Sequence, residues 1–148
     1  MVSTSTAVTA WESLFRAQVG VMRALDAEFP TDLLSLNEYD VLFNLSRQPD
    51  RSARLRDIND LVLISQPSVS RLVDKLTRRG LVEKCPDAND GRGTIVRLTD
   101  EGYALYRQVA LLHVKVISRV MGTRLTDEDL STLTGLTDRI SEGLDARS

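Results

Sequence analysis

The chain has 148 residues, 42% of them apolar and 27% charged, which is the balance of one folded domain with helical extensions and excludes a disordered chain. Aromatic residues make up only 5%, so the core has to be built from Leu, Val, Ile and Ala. One cysteine excludes an internal disulfide framework, and a net charge of −2 gives no sign, taken as a whole, of a nucleic-acid partner.

The Ser/Thr-rich first residues read as frayed, and Met1 to Ala10 lacks the basic opening and apolar middle of a secretory signal. Thr9-Ala10-Trp11-Glu12 has the hydroxyl and carboxylate spacing of a capping box. Behind it Trp11, Leu14, Phe15, Met22, Leu25 and Phe29 recur at helical spacing until Pro30. Ser35-Leu36-Asn37-Glu38 is a second capping box, and the helix it opens runs to about Gln48 with Leu36, Tyr39, Leu42 and Phe43 on one face. After a turn at "QPDRSA", a short helix turns Leu55, Ile58, Leu61 and Val62 inward.

The next helix is the unusual one. "SQPSVSRLVDKLTRRGLV" opens on small polar groups, with Ser65 as N-cap and Pro67 in the first turn, where its missing N–H is not needed. Val69, Leu72, Val73 and Leu76 form the buried stripe and Gly80 ends the helix. "LVEKC" and "TIVRL" are strand candidates joined by the breaker-rich turn "PDANDGRG". Thr99 caps a long helix with Leu105, Val109, Leu112, Val116 and Val120 on its apolar face, and Thr126 caps a last one carrying Leu130, Leu133, Leu136, Ile140 and Leu144. No run reaches the roughly 18–20 apolar residues of a membrane span, so no membrane partner is expected.

This order predicts a mainly α protein with a small β-hairpin wing: a winged helix-turn-helix at residues 35–99, flanked by helices at 1–34 and 100–148. The charge follows the same division. Residues 51–97 hold ten basic and six acidic side chains, whereas residues 1–50 hold three against seven and residues 98–148 hold six against eight. A basic centre between acidic ends suits a module that meets phosphates with its middle.

Small hydroxyls and amides at the start of the second helix of such a motif can approach base edges, and the helix N-terminus attracts phosphate. Ser68, Arg71 and Lys75 share the outward face, with Gln66 and Ser70 at its edges; Arg78 and Arg79 either reach DNA or simply favour the helix C-terminal dipole. Arg92, flanked by glycines at the hairpin tip, suits an adjacent minor groove. Asp87 and Asp90 would repel phosphate unless they shape the turn, held by local N–H groups or by an arginine. A nucleophile with a base, a metal cluster and a phosphate loop are all missing, and a lone His113 with a lone Cys85 makes a zinc site improbable; the expectation is no enzyme, no metal and no cofactor.

"LSLNEYDVLFNL", "LRDINDLVLISQPSVSRLVDKLTRRGLVEK" and "DANDGRGTIVRLTDEG" together resemble the MarR family of bacterial transcriptional regulators, in register from about Leu36 to Gly102. The resemblance maps the family's DNA-contacting helix onto Gln66 to Lys75 and its D-x-R wing onto Asp90-Gly91-Arg92. Gly91 stands where the family often carries another basic residue, and Asn59 replaces a small apolar one. It implies a cytoplasmic homodimer joined through the first and last helices and reading a palindromic duplex, most simply as a repressor. The amphipathic stripes of Trp11 to Phe29 and Leu130 to Leu144, which lack an obvious partner in a small winged helix, agree with a dimer. It also implies a small aromatic or phenolic effector, for which Trp11, Phe15, Tyr39, Phe43 and His113 are candidate lining residues beside an ordinary packing role. The competing expectations are a winged-helix module that binds protein and a redox-responsive regulator acting through Cys85.

Overall fold

The computed structural model describes residues 1–62 and 68–146. Six helices and three strands follow one another as α1 (Thr4–Ala27), α2 (Leu36–Ser46), β1 (Ser52–Arg54), α3 (Ile58–Leu61), α4 (Val69–Arg78), β2 (Val82–Asp87), β3 (Asp90–Leu98), α5 (Asp100–Gly122) and α6 (Asp127–Asp145). They divide into a central unit, Phe29–His113, and a terminal unit, Met1–Glu28 with Val114–Ser148, and α5 contributes to both.

In the central unit the local chemistry sets the element ends. Ser35 and Glu38 close the predicted capping box, with Glu38 N–H donating to Ser35 Oγ at 3.1 Å and Ser35 N–H donating to Glu38 Oε1 at 2.9 Å. The buried face of α2 is Val41, Leu42 and Leu45, while Leu36, Tyr39 and Phe43 are only half-buried. Against α2 pack Ile58 of α3, Val69, Val73 and Leu76 of α4, Val82 and Val96 of the sheet and Val109 of α5 in one apolar core.

The sheet differs from the expected hairpin in having three antiparallel strands in the order β1-β3-β2, with Ser52, Ala53 and Arg54 opposite Arg97, Val96 and Ile95. The extra strand is three residues long and too short to carry a period. The turn before it is tight: Asp50 and Arg51 have φ of 57° and 52°, the left-handed region, and Ser52 N–H donates back to Pro49. The β2–β3 connection is also tighter than expected, because Pro86 and Asp87 belong to β2 and Asp90 to Gly93 belong to β3. Proline is tolerated there because β2 is an edge strand, where its missing N–H costs no ladder bond, and the register shifts between Pro86 and Asp87. Thr99 caps α5, accepting from Gly102 N–H at 2.9 Å. Gly102 has to be glycine, since a Cβ would lie 1.9 Å from the Leu81 carbonyl oxygen.

The terminal unit is built differently. α1 begins at Thr4, not at Thr9: residues before the proposed box contain no breaker, and extending an existing helix costs little per residue. Thr9 and Glu12 are therefore interior positions of α1. The Thr126 cap does form, as a capping box with Asp129. Leu25 is the buried apolar residue of this unit among the described residues, and none is buried on α6. No described helix is long and apolar enough to cross a membrane.

Candidate nucleic-acid interface

α4 is an amphipathic helix with sharply separated faces. Val69, Val73 and Leu76 are buried, whereas Ser70, Arg71 and Lys75 are exposed. Its N-cap is Ser68, whose Oγ accepts Arg71 N–H at 3.3 Å. The cap expected at Ser65, with Gln66 and Pro67, lies outside the described residues. At the other end Gly80 takes a φ of 72°, Gly80 N–H donates to Thr77 and Leu81 N–H donates to Leu76, the paired bonds of a Schellman motif. The helix thereby stops one turn before the sheet, and Lys84 on β2 pairs with Asp74 on α4.

The ribbon beside it is organised by two carboxylates. Asp87 is buried; its Oδ1 accepts Asn89 N–H at 3.0 Å. Arg54 Nε lies 3.0 Å from Asp87 Oδ2, off the line a hydrogen bond needs, so that oxygen is compensated by charge rather than by a directed bond. Asp90 accepts Arg92 N–H at 3.1 Å and lies 3.8 Å from Arg56. Gly91 has open space where a Cβ would point, but Gly93 does not: a Cβ there would meet that of Asp87 at 3.1 Å. Arg92 is exposed on β3, two residues beyond Asp90, rather than at the tip itself. Arg54 and Arg56 were not expected here; they enter through β1 and the turn after it, elements with no signal in the sequence.

Partner by partner, the basic centre thins out. Of its ten cations, Arg54, Arg56, Lys75, Arg79, Lys84 and Arg97 lie within ion-pair distance of a carboxylate. Arg51 covers the Tyr103 ring, 3.6 Å from its centroid. Arg71, Arg78 and Arg92 have no ion pair among the described residues.

The aromatic candidates fall into two groups. Trp11 and Phe15, both exposed, stack 5.5 Å apart on α1 in the terminal unit. In the central unit Tyr39 is ringed by Phe29, Phe43, Tyr106 and His113, all with centroids within 6.2 Å of its own. Burial, with Tyr106 alongside, pushes the Tyr39 hydroxyl up to about 12, and burial lowers the His113 pKa, so both are neutral at neutral pH. Cys85 is half-buried on β2 opposite Ile95. No cluster of metal-ligating side chains occurs among the described residues.

A helix that presents hydroxyls and cations on one face, with a short helix before it and an arginine-bearing ribbon after it, is a winged helix-turn-helix, built to lay one helix in a major groove. Residues 34–93 match the profile of the MarR family. The regulator PecS of Dickeya dadantii (strain 3937), an HTH-type transcriptional regulator, is 31% identical over 134 residues, 89% of this chain and 80% of PecS. Two Streptomyces coelicolor MarR family regulators share the fold with a TM-score of 0.79 each. Sco3205, solved in complex with DNA, is 28% identical, with 97% of this chain and 91% of that one covered; AbsC is 26% identical, with 99% of each covered. The chain belongs to the MarR family of transcriptional regulators, and is a DNA-binding regulator rather than an enzyme.

Proposed function

We propose that the protein is a homodimeric, cytoplasmic bacterial repressor that reads a palindromic duplex with α4 in the major groove and the β2–β3 ribbon on the adjoining minor groove. Ser65, Gln66, Pro67, Ser68, Ser70, Arg71 and Lys75 meet bases and phosphates, and Arg92 enters the minor groove where narrow A·T-rich sequence concentrates negative potential. Asp87, Asp90 and Gly91 give the ribbon its shape. The observation that carries this reading is the selective neutralisation of the basic centre: Arg71 and Arg92 remain exposed and without a carboxylate among the described residues while most of their neighbours are paired. A guanidinium left in water and aimed outward is available to a phosphate or a guanine. The DNA complex of Sco3205 supports the same use of the fold.

Dimerisation uses the helices of residues 1–34 and 100–148, and two-fold symmetry then sets the two α4 copies about one helical turn of DNA apart. A small aromatic or phenolic effector seats against the ring cluster of Tyr39, Phe43 and His113 in the central unit. It releases DNA by as much as it prefers the arrangement that does not bind.

Selection of duplexes from a random library at near-physiological salt should return a palindromic consensus. Recovery of no consensus, with binding that vanishes as salt rises, would overturn the reading. On the selected site, Arg92→Ala should weaken binding and reduce the salt slope by about 1.8, about 0.9 for each protomer of the dimer. Unchanged affinity and slope would remove Arg92 from the interface.

A further inference from the structure

Arg79, the residue that caps the C-terminal end of α4, is exposed like its neighbour Arg78, but its guanidinium is tied back to the protein. Its Nη1 donates to Glu38 Oε2 at 2.6 Å and its Nη2 donates to the Leu33 carbonyl at 2.7 Å, partners 41 and 46 residues away in sequence. Glu38 is 3% exposed. Its other oxygen, Oε1, accepts Ser35 N–H at 2.9 Å in the capping box of α2, and Lys75 Nζ lies 3.9 Å from that oxygen. One carboxylate therefore serves two elements: it closes the start of α2 and receives the end of α4. Burial works to raise the Glu38 pKa, but the Ser35 N–H and the hydrogen bond and charge of Arg79 outweigh it, and the group stays below the usual carboxylate range.

The remaining anchors of α4 restrain it less directionally. Val69, Val73 and Leu76 are held by apolar burial, which has no preferred angle. The Asp74–Lys84 pair lies among partly exposed side chains, where such pairs are weak. A guanidinium that must satisfy a carboxylate and a carbonyl at once is planar and directional, and fixes both the roll and the tilt of the helix end.

We propose that Glu38 is a positioning residue for the DNA-reading helix, holding Arg79 so that α4 is presented at one fixed angle. This rests on α4 reading DNA as set out above. Glu38 is buried and not offered to nucleic acid, and the Arg79 guanidinium, though 35% exposed, is engaged by Glu38 and the Leu33 carbonyl instead of by a phosphate. Two charges placed this way are a poor source of net stability, because desolvation offsets much of their attraction; what they supply is orientation.

The test uses the full-length protein, its selected duplex and a scrambled duplex of equal length, with Kd measured by fluorescence anisotropy across a salt series and thermal unfolding followed in parallel. Glu38→Gln and Arg79→Gln should each lower the ratio of selected to scrambled affinity by about tenfold, roughly 1.4 kcal/mol, with the salt slope unchanged and the double variant no worse than either single one. Arg79→Lys keeps a cation beside Glu38 and therefore the fold, but cannot span carboxylate and carbonyl together, so it should lose part of the ratio at an unaltered melting temperature. A fall of about 1.8 in the slope with Arg79→Gln, about 0.9 for each protomer, alongside an intact ratio with Glu38→Gln, would make Arg79 a phosphate contact and overturn the proposal. So would lowered melting temperatures with an undiminished ratio in the folded variants. If the unaltered protein fails to distinguish the two duplexes, the DNA-reading assignment of α4 falls, and the positioning role with it; if it distinguishes them and every variant does too, only the positioning role falls.

Discussion

The central and terminal units spend their apolar residues in opposite ways. In the central unit Val41, Leu42, Ile58, Val73, Leu76, Val96 and Val109 are all at most 1% exposed, and the core is closed within one chain. In the terminal unit Trp11, Phe15, Leu136 and Ile140 are each more than half exposed, and α6 buries nothing. A helix with an apolar stripe left in water has no stable reason to exist alone, because tertiary packing supplies most of the stability of such a helix. The contrast gives a closed core to the half that carries α4 and the ribbon, and it agrees with the proposal that the other half assembles with a second copy.

Three changes would break or sharpen that contrast. Leu76→Ala, in the closed core, should cost about 2–5 kcal/mol and be seen as a large drop in melting temperature. A drop no greater than that of an exposed leucine would mean the central core is not the stabilising one. Leu136→Asp combined with Ile140→Asp should leave the central fold intact by circular dichroism while giving a monomer in sedimentation, and should lower affinity for a palindromic site by about a hundredfold. A dimer that survives both changes would move the interface elsewhere. The smallest effect belongs to the turn before β1: Asp50→Gly removes a left-handed penalty of about 1–2 kcal/mol, less the extra freedom given to the unfolded chain, for a net gain of about 0.5 kcal/mol in chemical denaturation. A loss of stability would mean that the Asp50 side chain is needed there.

The fold was legible where its signals are local. The Ser35–Glu38 box, the Thr99 and Thr126 caps and the helix end at Gly80 each depend on residues within a few positions of one another, and each stands where the pattern placed it. The start of α1 was misjudged because a hydroxyl three residues before a carboxylate also occurs inside helices. β1 was missed because Ser-Ala-Arg has no alternation to find, and with it went Arg54 and Arg56, the arginines beside Asp87 and Asp90. For the candidate interface, periodicity places Ser68, Arg71 and Lys75 outward with Ser70 at the edge; Ser70, Arg71 and Lys75 are exposed, whereas Ser68 is half-buried as the N-cap of α4. Periodicity could not reveal that Arg79 is held by Glu38, since the two lie 41 residues apart and only the fold brings them together.

The sheet order has a mechanical side. β3 is paired on both flanks only at Ile95, Val96 and Arg97; nearer the turn it is paired with β2 alone, at Thr94 and Asp90, and Arg92 sits in the irregular stretch between those two pairs. A strand clamped at its root and held on one side beyond it is a cantilever. Its root amides should exchange with deuterium slowly and its outer amides much faster, and under the proposed minor-groove role of Arg92 the arginine then rides a springboard that can follow the varying width of a groove without disturbing the core that carries it.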